Sequence, residues 1–231
     1  MKSRLPVAAL AAAATFALCA CNAHYADDAF VQSADTLRPS VVMLSMDVPG
    51  EKKDNPDSEF ATGTVVATGT WGSDILTVEH AIEQASNLKV TIANKEKVSG
   101  DVIAKNATLD VALVRIKRAN LPVAKLGSSK DAHPGRVVGL LGYPIPDQFD
   151  DEGLGLATSL NAGRVSSMRQ DAIEVNLPIV PGESGSPVFL SDTGEIVGIA
   201  ESRFDEERSI GFALPAEEAS KFLHTVDATH G

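Results

Sequence analysis

The sequence predicts an all-β domain, built either as a barrel or as a sandwich. About a dozen short runs rich in Val, Ile and Thr occur along the 231 residues, and these residue types favour strands. Gly, Pro, Asp and Asn separate the runs, where they interrupt strand pairing and form turns. Helical spacing is confined to two short segments. Many short strands with punctuated turns are typical of barrels and sandwiches, and the chain length suits one such domain.

The predicted elements follow the alternation of apolar runs and turn residues. We expect helices at residues 81–85 and 215–226, where Pro215 opens a run with Ala219, Phe222 and Leu223 at helical spacing. The charged stretches 48–59 and 144–155 contain Pro and Gly and are expected to be surface loops. The domain then spans residues 37–225, and residues 226–231 form a tail. Strands are expected at residues 40–46, 61–68, 74–77, 88–92, 98–103, 111–116, 136–142, 162–167, 172–177, 187–190, 196–200 and 210–214.

Residues 1–20 have the composition of an export signal. Lys2 and Arg4 form a charged beginning, and an apolar run follows them. The alternative is a membrane anchor, but the run is shorter than the ~20 apolar residues that a spanning helix needs. Residues 21–36 are polar and rich in Ala and Asp, which suits a tether between the leader and the domain.

The end of the leader, Leu18-Cys19-Ala20-Cys21, resembles the lipobox of bacterial lipoproteins. This resemblance implies that Cys21 becomes the lipidated first residue of an exported protein. Asn22 after it implies a periplasmic protein anchored to the outer membrane. The alternative is cleavage after Ala20 or Ala23, which would release a soluble periplasmic or secreted protein.

The charge and the cysteine content argue against several kinds of function. Asp and Glu number 31 against 20 Lys and Arg, so the net charge is −11, and such a surface repels the phosphates of nucleic acids. We therefore expect no nucleic-acid partner. The two cysteines, Cys19 and Cys21, both lie at the leader junction, so the domain contains no disulfide and no thiolate metal site. No metal or other cofactor is expected.

The segment 181–187, which reads PGESGSP, has the composition of a turn that presents a nucleophile. A serine with glycines close on both sides lets the backbone turn tightly around an exposed hydroxyl, here that of Ser184. Acyl transfer also needs backbone N–H groups beside the nucleophile, and Gly182 and Ser184 would supply them as an oxyanion hole. The alternative is a β-turn of small residues without a catalytic role.

A nucleophilic serine needs a base, and His80 is the candidate. Of the five histidines only His80 ends an apolar strand, where the backbone holds the ring in place. The third group must orient the imidazole and stabilise its charged form, and Asp110 at the start of an apolar strand suits this role. The alternatives are a structural histidine and an aspartate that only forms a turn. Together His80, Asp110 and Ser184 are a predicted catalytic triad.

The segments around these three residues resemble the His, Asp and Ser blocks of the trypsin-like HtrA/Deg serine peptidases. They read LTVEHAI at 76–82, LDVALVRI at 109–116 and GESGSP at 182–187. The order and the spacings of 30 and 74 residues are also similar, and ATGTVV at 61–66, the strand and turn at 135–144 and GFALP at 211–215 add supporting matches. The resemblance implies two six-stranded antiparallel β-barrels of the chymotrypsin type, a short C-terminal helix, and a site in the cleft between the barrels. The chain stops after that helix, so we expect a protease domain without a PDZ domain.

The resemblance implies a serine endopeptidase that cuts peptide bonds of unfolded or periplasmic proteins through an acyl-enzyme, without a cofactor. It also implies a substrate pocket that favours small or medium aliphatic side chains. HtrA relatives form trimers, and the sequence leaves a homotrimer open. The expected pocket residues are Pro178, Ile179, Val180, Ile199, Ala200, Glu201 and Ser202.

Two residues depart from the family pattern Gly-Asn-Ser-Gly-Gly-Pro, namely Glu183 and Ser186. A carboxylate beside the nucleophile would disfavour an oxyanion, so we expect the Glu183 side chain to point away from the site. Two alternative functions remain at this stage. One is a binding or chaperone module whose site is idle or activated by a partner, and the other is an esterase or another hydrolase that uses the same triad.

Overall fold

The computed structural model describes residues 28–52, 55–92, 95–201 and 210–230. The expected export signal at 1–20, the expected lipidation site Cys21 and the expected pocket residue Ser202 lie outside these residues. The expected tether at 21–36 is described only from residue 28 onward.

The first six strands form a closed antiparallel barrel, in the order β1-β2-β3-β6-β5-β4. The sheet closes because β1 pairs with β2 on one side and with β4 on the other. Strands β3 and β6 are buried along almost their whole length, which agrees with their continuous apolar sequences. The strands are β1 (Val41–Lys52), β2 (Asn55–Gly69), β3 (Gly72–Thr77), β4 (Ser86–Thr91), β5 (Lys97–Asn106) and β6 (Val111–Ile116).

The remaining six strands form a second closed barrel, in the order β10-β11-β12-β9-β8-β7. Its core contains Val138, Leu140, Ile173 and Val188, all fully buried. Two closed six-stranded antiparallel barrels confirm the predicted all-β class and the chymotrypsin-type architecture, and they exclude a sandwich. All twelve predicted strands are present, with bounds that differ by a few residues. The strands are β7 (Val137–Gly142), β8 (Ser159–Met168), β9 (Ile173–Val175), β10 (Pro187–Leu190), β11 (Ile196–Glu201) and β12 (Gly211–Pro215).

The stretch 48–59, expected as a surface loop, instead continues the ladder between β1 and β2. Val48 pairs with Asp57, and Lys52 pairs with Asn55. A hairpin extends beyond a barrel core because its two strands satisfy each other's backbone groups, and an antiparallel ladder tolerates water on its faces. The prediction of a loop was wrong here, since polar composition alone does not prevent strand pairing.

The expected short helix at 81–85 is a pair of consecutive turns. Ile82 N–H donates to Glu79 C=O (3.0 Å), and Ala85 N–H donates to Ile82 C=O (3.2 Å). Both hydrogen bonds connect residues three apart, so the segment forms turns rather than the bonds between residues four apart that define an α-helix. A short helix lies instead in the expected loop at 144–155: α2 (Pro146–Asp151) begins with proline, whose fixed φ suits a first helical position.

Helix α1, at residues 28–37, covers the described part of the segment expected to be a tether, continues to Leu37, and packs against the second barrel. The rings of Phe30 and Phe189 lie 5.8 Å apart between centroids. A 3-10 helix (Arg38–Ser40) follows, and the Arg38 guanidinium donates to Thr158 C=O (3.0 Å), just before β8. The chain then enters β1. The N-terminal helix therefore contacts one barrel and leads into the other.

The closing helix α3 (Ala216–His230) confirms the predicted C-terminal helix and buries Ala219 and Phe222. Its Glu217 carboxylate accepts hydrogen bonds from the Ser128 hydroxyl (2.8 Å) and the Ser129 N–H (3.0 Å). Burial alone would raise the pKa of Glu217, but the hydrogen bonds from Ser129 and Ser128 outweigh it and lower that pKa to about 2. Among the described residues no helix is long and apolar enough to cross a membrane.

Candidate active site

His80 and Asp110 meet where two paired strands of the first barrel approach the second. His80 follows β3 and Asp110 directly precedes β6, and these strands pair through Thr77 and Ala112. The Asp110 carboxylate binds His80 twice: Oδ2 lies 2.6 Å from the ring Nδ1, and Oδ1 accepts from the His80 N–H at 2.8 Å. This two-point contact fixes both the ring and the backbone of His80.

The pKa values of the pair are shifted in opposite directions. The hydrogen bond to Asp110 raises the pKa of His80 above its usual range, outweighs the effect of desolvation, and is helped by the charges of Asp110, Glu201 and Glu59. Burial alone would raise the pKa of Asp110, but its hydrogen bonds to the ring and the backbone of His80 outweigh burial and lower it. The Asp110 carboxylate therefore stays ionised, and it accepts a hydrogen bond from the Nδ1–H of the His80 ring.

The turn that carries Ser184 depends on two glycines. Gly182 has φ +92° and Gly185 has φ +88°, a region that residues with a side chain rarely adopt. A Cβ at Gly182 would lie 2.2 Å from Tyr143 O, and a Cβ at Gly185 would lie 2.1 Å from Thr62 O. The glycines thus allow both the turn and its close approach to neighbouring backbone.

Thr62 of β2 joins this turn to the first barrel. Its N–H donates to Ser184 C=O (2.9 Å), and its hydroxyl donates to Gly182 C=O (2.7 Å) while accepting from Tyr143 N–H (3.0 Å). Its own C=O accepts from the Thr77 hydroxyl (2.8 Å), three residues before His80. The Ser184 turn is therefore docked on the strands that lead to His80. Ser184 is 8% exposed, and its hydroxyl makes no hydrogen bond with another described residue.

Two neighbouring carbonyl groups orient the amides of Gly182 and Ser184. Pro181 C=O accepts from Ile145 N–H (2.7 Å), and Glu183 C=O accepts from Ser186 N–H (3.0 Å). In a planar trans peptide the C=O and the following N–H point in opposite directions. The N–H groups of Gly182 and Ser184 therefore face away from these partners.

Glu183 lies between those two amides and is fully buried. Its Oε1 accepts from the Asn161 side-chain amide (2.9 Å), and its Oε2 accepts from Val180 N–H (3.1 Å). Burial raises the pKa of Glu183, and the hydrogen bonds from Val180 and Asn161 oppose that rise. The carboxylate is thus directed toward β8 and the segment that precedes the turn.

The expected pocket residues that the structure describes lie on two strips, 178–180 and 199–201, and both strips contact the Ser184 turn through backbone hydrogen bonds. In β11, Ile199, Ala200 and Glu201 are buried, and Ala200 N–H donates to Ser186 C=O (2.8 Å). On the other strip Ile179 is half-buried and Pro178 is exposed.

The half-buried Ile179 reaches Gly211 of β12. A Cβ built on Gly211 would lie 2.8 Å from Ile179 Cδ1. The space beside Gly211 is therefore occupied by an aliphatic side chain.

No group of three or more His, Cys, Asp or Glu side chains suited to a metal ion occurs in the described part of the chain.

Comparison with known proteins decides the family. Residues 61–199, which include His80, Asp110 and Ser184, match the Trypsin-like peptidase domain. The chain belongs to this family. The match covers strands of both barrels, so it agrees with the architecture of this trypsin-like peptidase.

Several relatives of this trypsin-like peptidase carry protease names. "Probable periplasmic serine endoprotease DegP-like" of Pseudomonas fluorescens is 32% identical over 149 residues, which are 63% of this chain and 31% of the relative. "Serine protease Do-like HtrA" of Bacillus subtilis is 27% identical over 184 residues, 73% of this chain and 39% of the relative. The chain thus spans between 31% and 39% of the length of these two relatives. The solved structure "HtrA-type protease AlgW with tripeptide" has a TM-score of 0.71 at 22% identity over 85% of this chain and 63% of that one, and it supports the fold.

Sequence reasoning missed three residues that shape the site of this trypsin-like peptidase: Thr62, Tyr143 and Asn161. Thr62 carried a usable signal, because a hydroxyl in the run of small residues at 61–64 of a buried strand needs a hydrogen-bond partner. Tyr143 contributes only its backbone N–H, which no side-chain pattern reveals. Asn161 lies in an alternating strand where an amide is ordinary, so its contact with Glu183 could not be anticipated.

Proposed function

We propose that this trypsin-like peptidase is a serine endopeptidase with His80, Asp110 and Ser184 as its catalytic triad. The observation that carries the proposal is the two-point hydrogen bond of Asp110 to His80, at 2.6 and 2.8 Å, beside the docked turn of Ser184. A carboxylate on Nδ1 leaves the proton-free Nε2 to act as the base. The names of the relatives, which include serine endoproteases and serine proteases, support the same activity.

The reaction proceeds by acyl transfer. His80 accepts the proton of the Ser184 hydroxyl while Oγ attacks the peptide carbonyl, and Asp110 stabilises the resulting imidazolium. The amides of Gly182 and Ser184 stabilise the oxyanion that forms on the carbonyl oxygen. His80 then gives its proton to the leaving amine, and an acyl-enzyme remains on Ser184. Water activated by His80 hydrolyses that ester, and the chain supplies every proton transfer without a cofactor.

The proposed substrates are unfolded or periplasmic proteins with a small or medium aliphatic residue before the cleaved bond. Ile179 beside Gly211 supports this preference, because it narrows the space next to the Ser184 turn with apolar atoms. The remaining proposed lining is Pro178, Val180, Ile199, Ala200, Glu201 and Ser202. The name of one solved structural neighbour, "HtrA-type protease AlgW with tripeptide", is consistent with a peptide as ligand.

We further propose export to the periplasm, with residues 1–20 as the signal and Cys21 as a lipidated anchor in the outer membrane. The periplasmic name of the Pseudomonas relative supports the compartment. Cell fractionation with Cys21→Ala tests the anchor, since the variant should move from the membrane to the soluble periplasmic fraction. Sedimentation of the purified protein tests whether it forms the homotrimer that the sequence leaves open.

The deciding experiment is digestion of casein by the purified protein beside Ser184→Ala, with mass spectrometry of the fragments. Cleavage by the wild type alone supports the endopeptidase, and the fragment ends give its specificity. Labelling by a serine-directed phosphonate, lost in Ser184→Ala, provides a second readout. No cleavage and no labelling would overturn the proposal in favour of a binding or chaperone module, whereas ester turnover with intact casein would favour another hydrolase.

A further inference from the structure

The structure assigns Glu183 and Asn161 a positioning role: their side-chain hydrogen bond holds the turn that presents the amides of Gly182 and Ser184. We call this pair the Glu183–Asn161 clamp. The inference rests on the proposed function, in which Ser184 is the nucleophile. It gives a role to Glu183, which replaces the Asn of the family pattern next to that serine.

All four polar groups of Glu183 have partners. Its N–H donates to Val180 C=O (3.0 Å), its C=O accepts from Ser186 N–H (3.0 Å), and its carboxylate accepts from Val180 N–H (3.1 Å) and from Asn161 (2.9 Å). Val180 is therefore held by both its N–H and its C=O. Glu183 thus closes the segment 180–183 into one unit whose backbone has little freedom.

This unit bears directly on the two candidate oxyanion donors. The peptide that carries the Ser184 N–H is the one whose C=O belongs to Glu183, and the Gly182 N–H lies two residues before that of Ser184, in the peptide whose C=O belongs to Pro181. Since a planar peptide turns as a whole, any rotation at Glu183 redirects the Ser184 N–H. An oxyanion donor must point at the developing charge to be effective. The clamp therefore fixes the direction of the Gly182 and Ser184 N–H groups without contacting the substrate.

Asn161 anchors the unit to the second barrel. It lies in β8, paired with Leu140 of β7, so its position is fixed by the sheet. Gly142 at the end of β7 leaves room for the glutamate, since a Cβ there would lie 3.3 Å from Glu183 Cγ. No Lys, Arg or His among the described residues forms an ion pair with Glu183. Its buried carboxylate is thus held by N–H donors alone.

The test exchanges the donor and the acceptor within the clamp. Asn161→Asp places two carboxyl groups face to face and should break the contact. Adding Glu183→Gln to that variant supplies an amide that donates to the new carboxylate and accepts from Val180 N–H, so the clamp should re-form. Asn161→Ala is the second single variant, because it removes the donor without adding a charge and remains informative if Asn161→Asp does not fold.

Two readouts are measured for each variant: kcat and KM on a peptide substrate, and amide hydrogen exchange at Val180. We expect the single variants to lose about 10²-fold in kcat, the loss typical of one missing oxyanion donor, with little change in KM. Exchange at Val180 should accelerate in the single variants. The double variant should recover most of kcat and the slow exchange at Val180.

Glu217→Gln is the matched control, because Glu217 is also held by N–H and O–H donors but lies at the base of α3. Its kcat should equal that of the wild type. Single variants with wild-type kcat and exchange would overturn the inference, and so would a double variant as impaired as Asn161→Asp. An inactive wild type would overturn the proposed function, while the exchange at Val180 would still decide whether the clamp exists.

Discussion

Replacing Thr62 with valine should destabilise the protein strongly, although valine has almost the same shape. The Thr62 hydroxyl is fully buried, and it is bound by Tyr143 N–H (3.0 Å) and Gly182 C=O (2.7 Å). Thr62→Val leaves both backbone groups without this partner. An orphaned buried group costs about 1–3 kcal/mol, so the expected loss is about 2–6 kcal/mol in the free energy of unfolding.

Thr64 provides a matched control two residues along the same strand. It is also fully buried, but its hydroxyl has no hydrogen-bond partner among the described residues. Thr64→Val removes an unpaired polar atom, so stability should stay constant or rise by about 1–2 kcal/mol. Both substitutions keep the volume and the β-branching of the side chain. The sign of the difference between them therefore reports hydrogen bonding rather than packing.

Urea unfolding followed by circular dichroism measures both variants against the wild type. A lower midpoint for Thr62→Val with an unchanged slope would give the loss in free energy directly. The same variant should lose kcat, because Gly182 C=O loses its anchor. Equal midpoints for the two variants would refute the reasoning, since the hydrogen bonds of Thr62 would then contribute nothing that Thr64 lacks.

Three further substitutions test other parts of the molecule. Asp110→Asn should lower kcat by about 10⁴-fold. The wild-type rate should fall as the pH drops through the raised pKa of His80, and the substitution removes the carboxylate that raises this pKa, so the acid limb of any residual activity should move to lower pH. An acid limb at the wild-type pH would contradict the assignment. Glu217→Gln should lower the free energy of unfolding by about 1 kcal/mol at pH 7, after allowance for solvent screening. Because the pKa of Glu217 is lowered to about 2, the difference in stability from the wild type should shrink as the pH falls from 4.5 to about 2. A difference in melting temperature that does not change with pH would contradict this expectation. Gly185→Ala should unfold or inactivate the protein, because its Cβ would meet a backbone oxygen of β2 at 2.1 Å. Gly155→Ala, with φ +75° and no atom within 4 Å, is its control, and equal melting temperatures would show that the close approach is unimportant.

The sequence was sufficient for the fold and for the contact between His80 and Asp110. Strands such as Val111–Ile116 are continuous apolar runs, and burial on all sides makes such runs easy to recognise. The catalytic roles of His80, Asp110 and Ser184, the oxyanion role of Gly182 and the roles of the pocket residues stay predictions. The extended hairpin at 48–59 was missed because strand pairing in a polar segment depends on its partner rather than on its own residues.

The contacts that organise the Ser184 turn could not be predicted, because they join distant parts of the chain. Thr62 and Gly182 are 120 residues apart, and Asn161 and Glu183 are 22 apart on different elements. Local patterns report which face of a strand is buried, but they do not report which hydroxyl or amide meets a given carbonyl. The sequence predicted only that the Glu183 side chain points away from the site, whereas its acceptor contacts with Asn161 and Val180 depend on the three-dimensional arrangement.

The helix at 28–37 has a practical consequence for anyone who shortens this chain. A boundary drawn at Leu37, the domain start expected from the sequence, would remove Phe30 and expose the ring of Phe189 and the surface around Gly139. The damage would fall on the second barrel, although the deleted residues adjoin the first in sequence. An expressed two-barrel domain should therefore start upstream of residue 28, and a protease that cuts between residues 30 and 37 would destabilise the barrel that contains Ser184.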